Sequence, residues 1–138
     1  MKFACEIVVR DILPALRALL AKELIEKHGY TKSQTALTLG VTSSSVTYYL
    51  DSKRGYRTKI VEKGNLDKLV EKMAKGLAEG TLTQFDAFKM IHNACLGLRS
   101  RGLICQLHEK AFPAIKGWDC RICTEPYKKE RRGSIKNR

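Results

Sequence analysis

Four of the five cysteines fall after residue 94, at Cys95, Cys105, Cys120 and Cys123. Thiolates gathered in this way can bind a metal or take part in redox chemistry. In the run WDCRIC, Cys120 and Cys123 form a CxxC knuckle that can grip one ion, or one edge of a cluster, from a tight turn. Cys95 and Cys105 would complete a four-sulfur set. The long gaps between the first three match neither the paired knuckles of a zinc ribbon nor a ferredoxin run, so the CxxC alone carries motif strength. Three uses stay open. All four thiols bind an iron–sulfur cluster, making the grip on a partner depend on redox state or iron supply. Alternatively they bind structural Zn²⁺, with His92 or His108 replacing a cysteine, since His92 with Cys95 and Cys105 with His108 have the i, i+3 spacing of one helix face. Otherwise there is no metal: Cys95 and Cys105 are small buried residues, and the CxxC is idle or a dithiol switch. Cys5 is expected to pack. Phe112, Pro113 and Trp118 are expected to be buried, around a metal or as a small satellite core.

A second group of residues could do recognition chemistry. In TKSQTALTLGVTSSSVTYYL, residues 31–50, Thr31 and Gln34 make a capping-box opening, so a short helix begins near Lys32. Ala36 is small enough for a second helix to cross closely. Gly40 ends the first helix by adopting positive φ, with Val41 as an inward plug beneath the turn. Thr42 caps the second helix. Val46 and Leu50 fall on its inner face with Tyr49 beside them, which leaves Ser43, Ser44, Thr47, Tyr48 and Asp51 facing out. Lys53, Arg54, Arg57 and Lys59 follow directly, where phosphates would lie if that outer face entered a major groove.

Charge points the same way. Against 14 Asp and Glu stand 26 Lys and Arg, giving a formal charge of +12 and a pI near 9.7, so a polyanion, and by default nucleic acid, is the expected partner. Lys128, Lys129, Arg131, Arg132, Lys136 and Arg138 make a basic tail that reads as a solvated end adding nonspecific affinity. A run of about eighteen apolar residues, the length of a membrane span, is absent. Glu6, Arg10 and Asp11 interrupt any apolar leader, and a soluble cytoplasmic protein is expected. Catalysis finds little support: there is no Ser with paired His and acid, no Gly-rich phosphate loop and no carboxylate pair on one face.

The elements that must position these groups are helical. Leu13, Leu16, Leu20 and Leu24 give a helix from Asp11 to His28, with Pro14 in its first turn and Gly29 at its end. Residues 3–9 are a short strand or a helical lead-in. After a linker from Arg57 to Gly64, Leu66, Leu69, Val70, Met73 and Leu77 mark another helix ending at Gly80. A fifth runs from Thr83 to Gly102, with Phe85, Phe88, Ile91, Cys95 and Leu98 on its apolar stripe. The expected fold is all-α, with a helix-turn-helix domain over 1–62 and a helical dimerisation and cysteine segment over 63–138.

Lys32 to Arg54 resembles the helix-turn-helix of the Cro and phage-repressor class, the XRE family. The preceding helix, the ending YYLDSKRG and the cysteine-bearing C-terminal segment make most of the chain similar to archaeal predicted transcriptional regulators. The resemblance implies a sequence-specific regulator that binds double-stranded DNA as a homodimer. Ser43, Ser44, Thr47 and Tyr48 would stand at base-contacting positions, Thr42 at the head of the reading helix, and Gln34 on the backbone or an adjacent base. Many relatives carry Gln, Arg or Asn at that head. Ser and Thr discriminate bases poorly, so specificity would lean on DNA shape and flanking cations. The rival expectation is a helical RNA-binding or antitoxin-type module using the same basic surface, although exposed stacking platforms of the usual RNA-binding kind are not evident.

Overall fold

A computed structural model describes residues 1–51 and 59–125, and among these every regular element is a helix. The first rod is longer than the leucine pattern suggests. Residues 3–9 are a helical lead-in: α1 (Ala4–Ile7) continues through a π turn (Val8–Ile12) into α2 (Leu13–His28). Pro14 explains the wide turn. It has no N–H, and its ring would crowd the carbonyl four residues back in a regular α-helix. Just ahead of it, the Leu13 N–H donates to Val8 O, one residue further back than α geometry uses. Gly29 closes α2 at φ +69°.

Helix α2 is apolar around most of its circumference, the mark of a central rod. Leu16, Leu20 and Leu24 lie fully buried in the main core with Val70 and Met73 of α6 (Leu66–Glu79), and α2 packs more extensively on α6 than on any other helix. On another side, Ala18 and Ala21, both 0% exposed, meet Tyr49 of α4 (Ser43–Asp51). Between these lies α3 (Lys32–Leu39).

The stretch expected to be a linker instead contains α5 (Lys59–Lys63), because Ile60 and Val61 are buried in the main core. That core runs across residues 62 and 63, so the two expected segments share it. Helix α7 (Gln84–Ser100) opens on Thr83, whose hydroxyl accepts the Asp86 N–H while the Asp86 carboxylate accepts the Thr83 N–H. Its buried face is Ala87, Cys95 and Leu98. Phe85 and Phe88 were expected on that face and lie outside it, more than 60% exposed and stacked on each other at 6.3 Å. Helical rotation turns Phe85 away from Ala87 and Leu98, whereas Phe88 shares a stripe with Cys95 two turns on and lines an open pocket together with it.

A short α8 (Cys105–Ala111) and a 3₁₀ turn (Pro113–Trp118) follow. The expected burial of Trp118 and Pro113 does not occur. Trp118 is 60% exposed and Phe112 half-buried, the two rings meeting edge to face at 5.4 Å, so the pair covers itself instead of joining a core. Cys5 is likewise exposed. The His108 Nε2–H donates to Lys2 O at 2.6 Å and ties α8 to the start of the chain.

Overpacking the α2–α4 seam should therefore loosen the corner. Ala21→Leu is expected to cost about 1–3 kcal/mol in urea unfolding, whereas Leu37→Ala, at an 81% exposed side chain, stays within about 0.5 kcal/mol. Equal costs would show that α4 is not seated on the alanines.

Candidate nucleic-acid interface

The corner formed by α3 and α4 is built by local hydrogen bonds. The Thr31 N–H donates to Gln34 Oε1 at 2.9 Å and the Gln34 N–H returns to Thr31 Oγ1 at 3.1 Å, the reciprocal box expected from the sequence. Thr35, fully buried, donates its hydroxyl proton to Thr31 O. At the other end Gly40 stands at φ +65°. Its N–H donates to Leu37 O and the Val41 N–H to Ala36 O, which satisfies the last carbonyls in a Schellman turn. Val41 is half-buried against Ala18, Ala21 and Tyr49. Thr42 then caps α4, its Oγ1 accepting the Ser45 N–H at 3.1 Å.

These contacts orient α4. Val46 is 0% and Tyr49 8% exposed, turned toward the body. Ser43, Ser44, Tyr48 and Asp51 are exposed and Thr47 is half-exposed, the face expected from helical spacing. Tyr48, 66% exposed, leans edge-on against Tyr49 at 6.4 Å, so the buried ring supports the exposed one. Leu50 is half-buried. Among the expected contact residues, Thr42 and Gln34 already serve as caps. The Thr42 hydroxyl also lies 2.9 Å from Ser45 Oγ, and the Gln34 side-chain oxygen is taken by Thr31, which leaves its amide donors available. Lys53, Arg54 and Arg57 lie outside the described residues, as does the basic tail from 126 onward; Lys59 opens α5.

One anchor was not legible from the sequence. Gln84, first residue of α7, donates from Nε2 to Thr38 O at 2.8 Å and to Leu37 O at 3.3 Å, capping carbonyls at the end of α3 from 46 and 47 residues away. A glutamine beside an N-cap carries no local signal of a distant acceptor.

The thiols divide. Cys95 is buried in the main core, and burial pushes its thiol up from the ordinary range. Cys105, half-buried at the start of α8, is pushed up by burial first and then by the neighbouring Cys123, Cys120 and Glu109. Cys120 is exposed and Cys123 half-exposed. Among the described residues no three His, Cys, Asp or Glu side chains stand close enough together to hold one ion. The four-sulfur set is thus not assembled, and His108, a candidate replacement, spends its Nε2 on Lys2 O. Also among the described residues, no helix is long and apolar enough to cross a membrane. No family model, curated protein or solved structure matches the chain.

Two measurements follow from the thiol arrangement. A thiol raised by folding adds stability that is fully present below its unfolded pKa, about 9.0, and is lost as pH climbs through the higher folded value. Cys95→Ala should therefore flatten the fall of Tm with pH above about 9, and an unchanged slope would refute it. Metal analysis of anaerobically purified protein reads the other: iron with sulfide denotes a cluster, one zinc per chain a structural site. Cys95→Ala is expected to leave whichever content is found unchanged, and loss of metal would place Cys95 among the ligands.

Proposed function

We propose that the chain is a sequence-specific double-stranded DNA-binding transcriptional regulator that inserts the outer face of α4 into the major groove. The observation that carries this reading is the division of α4 itself. Val46 and Tyr49 are buried, Tyr49 against Ala18 and Ala21 of α2, while Ser43, Ser44 and Tyr48 are exposed on a short helix capped at its start by Thr42. A helix held by its back and bare on its front is what groove reading requires. The chain's charge of +12 supplies the long-range attraction. Lys53, Arg54 and Arg57 follow α4 directly in sequence, where backbone phosphates flank an inserted helix.

Hydroxyls and one tyrosine give few bidentate base contacts, so the reading assigns part of the specificity to groove shape and deformability. It also assigns a homodimer, since half-sites one turn apart, about 34 Å, need two reading helices. The exposed Phe85–Phe88 pair favours this, being stacked apolar surface on a helix bonded to the end of α3.

Gel-shift titrations with duplex DNA and with single-stranded RNA test the reading directly. Duplex is expected to bind at least tenfold more tightly. Lys53→Ala and Arg54→Ala should each weaken binding to every duplex and lower the salt slope by about one. Ser44→Ala and Tyr48→Ala should instead change sequence preference. Preference for RNA, or identical behaviour of both mutant classes, would overturn the assignment.

A further inference from the structure

A cavity of about 340 Å³ lies where α2, α6 and α7 meet, closed on one side by the end of α3. Leu16, Leu20, Leu39, Leu77 and Ile91 supply most of its wall, and its size is that of a small-ligand site. The space opens to solvent past Phe88, His92 and Gln84, so an occupant with an apolar body gains by displacing water from the leucines.

Its polar groups are few and of one kind. No Asp or Glu lines it. Arg17 does, half-buried, and among the described residues its guanidinium has neither a hydrogen bond nor an ion pair. His92 also lines it, and Gln84 does too, with its amide N–H groups already given to the end of α3. A guanidinium with unused N–H donors beside an apolar space offers a planar anion a bidentate seat.

We propose that this cavity binds a small apolar carboxylate of the medium-chain fatty acid type, its chain among the leucines and its head group on Arg17. Charge complementarity selects this occupant. An uncharged apolar molecule would leave Arg17 unpaired, and a polar anion would leave the leucines unfilled.

The site also touches the corner. Leu39 and Thr38 of α3 line it together with Gln84, the residue that bonds to the end of α3. Leu39 additionally packs against both the main core and the Ala18–Ala21–Tyr49 cluster. Occupancy would therefore bear on how α3 and α4 sit. This regulatory consequence rests on the duplex-binding reading; the site itself does not.

Calorimetric titration of the DNA-free chain with decanoate and with decanol decides the matter. One decanoate per chain is expected, decanol binding at least tenfold more weakly. Affinity should rise about fourfold per methylene from hexanoate upward until the cavity is full. Arg17→Gln should bring decanoate to the level of decanol, while Ile91→Trp, its fold verified by circular dichroism, should abolish both by filling the space. No saturable binding, equal binding of acid and alcohol, or an Arg17→Gln protein that still prefers the acid would each overturn the proposal. Decanoate added to the duplex titration is then expected to shift DNA affinity at least threefold in the parent chain and not in Arg17→Gln. An unchanged duplex affinity overturns the coupling and leaves the site standing, whereas absence of any duplex binding strikes the reading of α4 and leaves the calorimetric result intact.

Discussion

Helix α2 has to satisfy several faces at once. Its leucines, Leu16, Leu20 and Leu24, bury a broad apolar surface against α6, while Ala18 and Ala21 form a flat strip on which Tyr49 of α4 rests. Interiors pack as densely as organic crystals, so a shift of α2 toward one partner opens a gap at the other. The alanines are as necessary as the leucines. They set how near α4 can lie, and hence which of its residues are left to solvent.

The corner owes its form to capping together with burial. Helices of eight and nine residues are too short to persist alone in water. Here Thr31, Gln34 and Gly40 satisfy orphan groups at the two ends of α3 and Thr42 at the start of α4, and Val46, Tyr49 and Ala36 are buried. The Gln84 bonds then lock the end of α3 to α7, so the corner is held from two directions. A rigidly backed helix keeps its exposed side chains in fixed register, which is what recognition of a regular duplex demands.

The cysteines divide by depth. Cys95 and Cys105 lie on separate helices, and the turn of α7 that carries Cys95 faces the core. A thiol there behaves as a small apolar group, and burial disfavours the thiolate that ligation would need. Cys120 and Cys123 remain near enough to Cys105 to push its thiol further up, after burial.

Local physics was legible without coordinates. The all-α class, the capping box at Thr31 and Gln34, the stop at Gly40, the cap at Thr42 and the outward face from Ser43 to Tyr48 follow from hydrogen bonding within four residues and from the 3.6-residue period. Other features were settled only by tertiary packing. Ile60 and Val61 became a helix because the main core had room for them, Phe85 turned away from the inward Ala87, Phe88 stayed at the open pocket that Cys95 also lines, and Trp118 found Phe112 for cover. The Gln84 anchor, the separation of Cys95 and the cavity beside Arg17 likewise arise from residues far apart in the chain. A sequence states which side of a helix is apolar. Which neighbour covers that side, and what space is left between them, depends on how whole helices fit together, and that is written in no single stretch of residues.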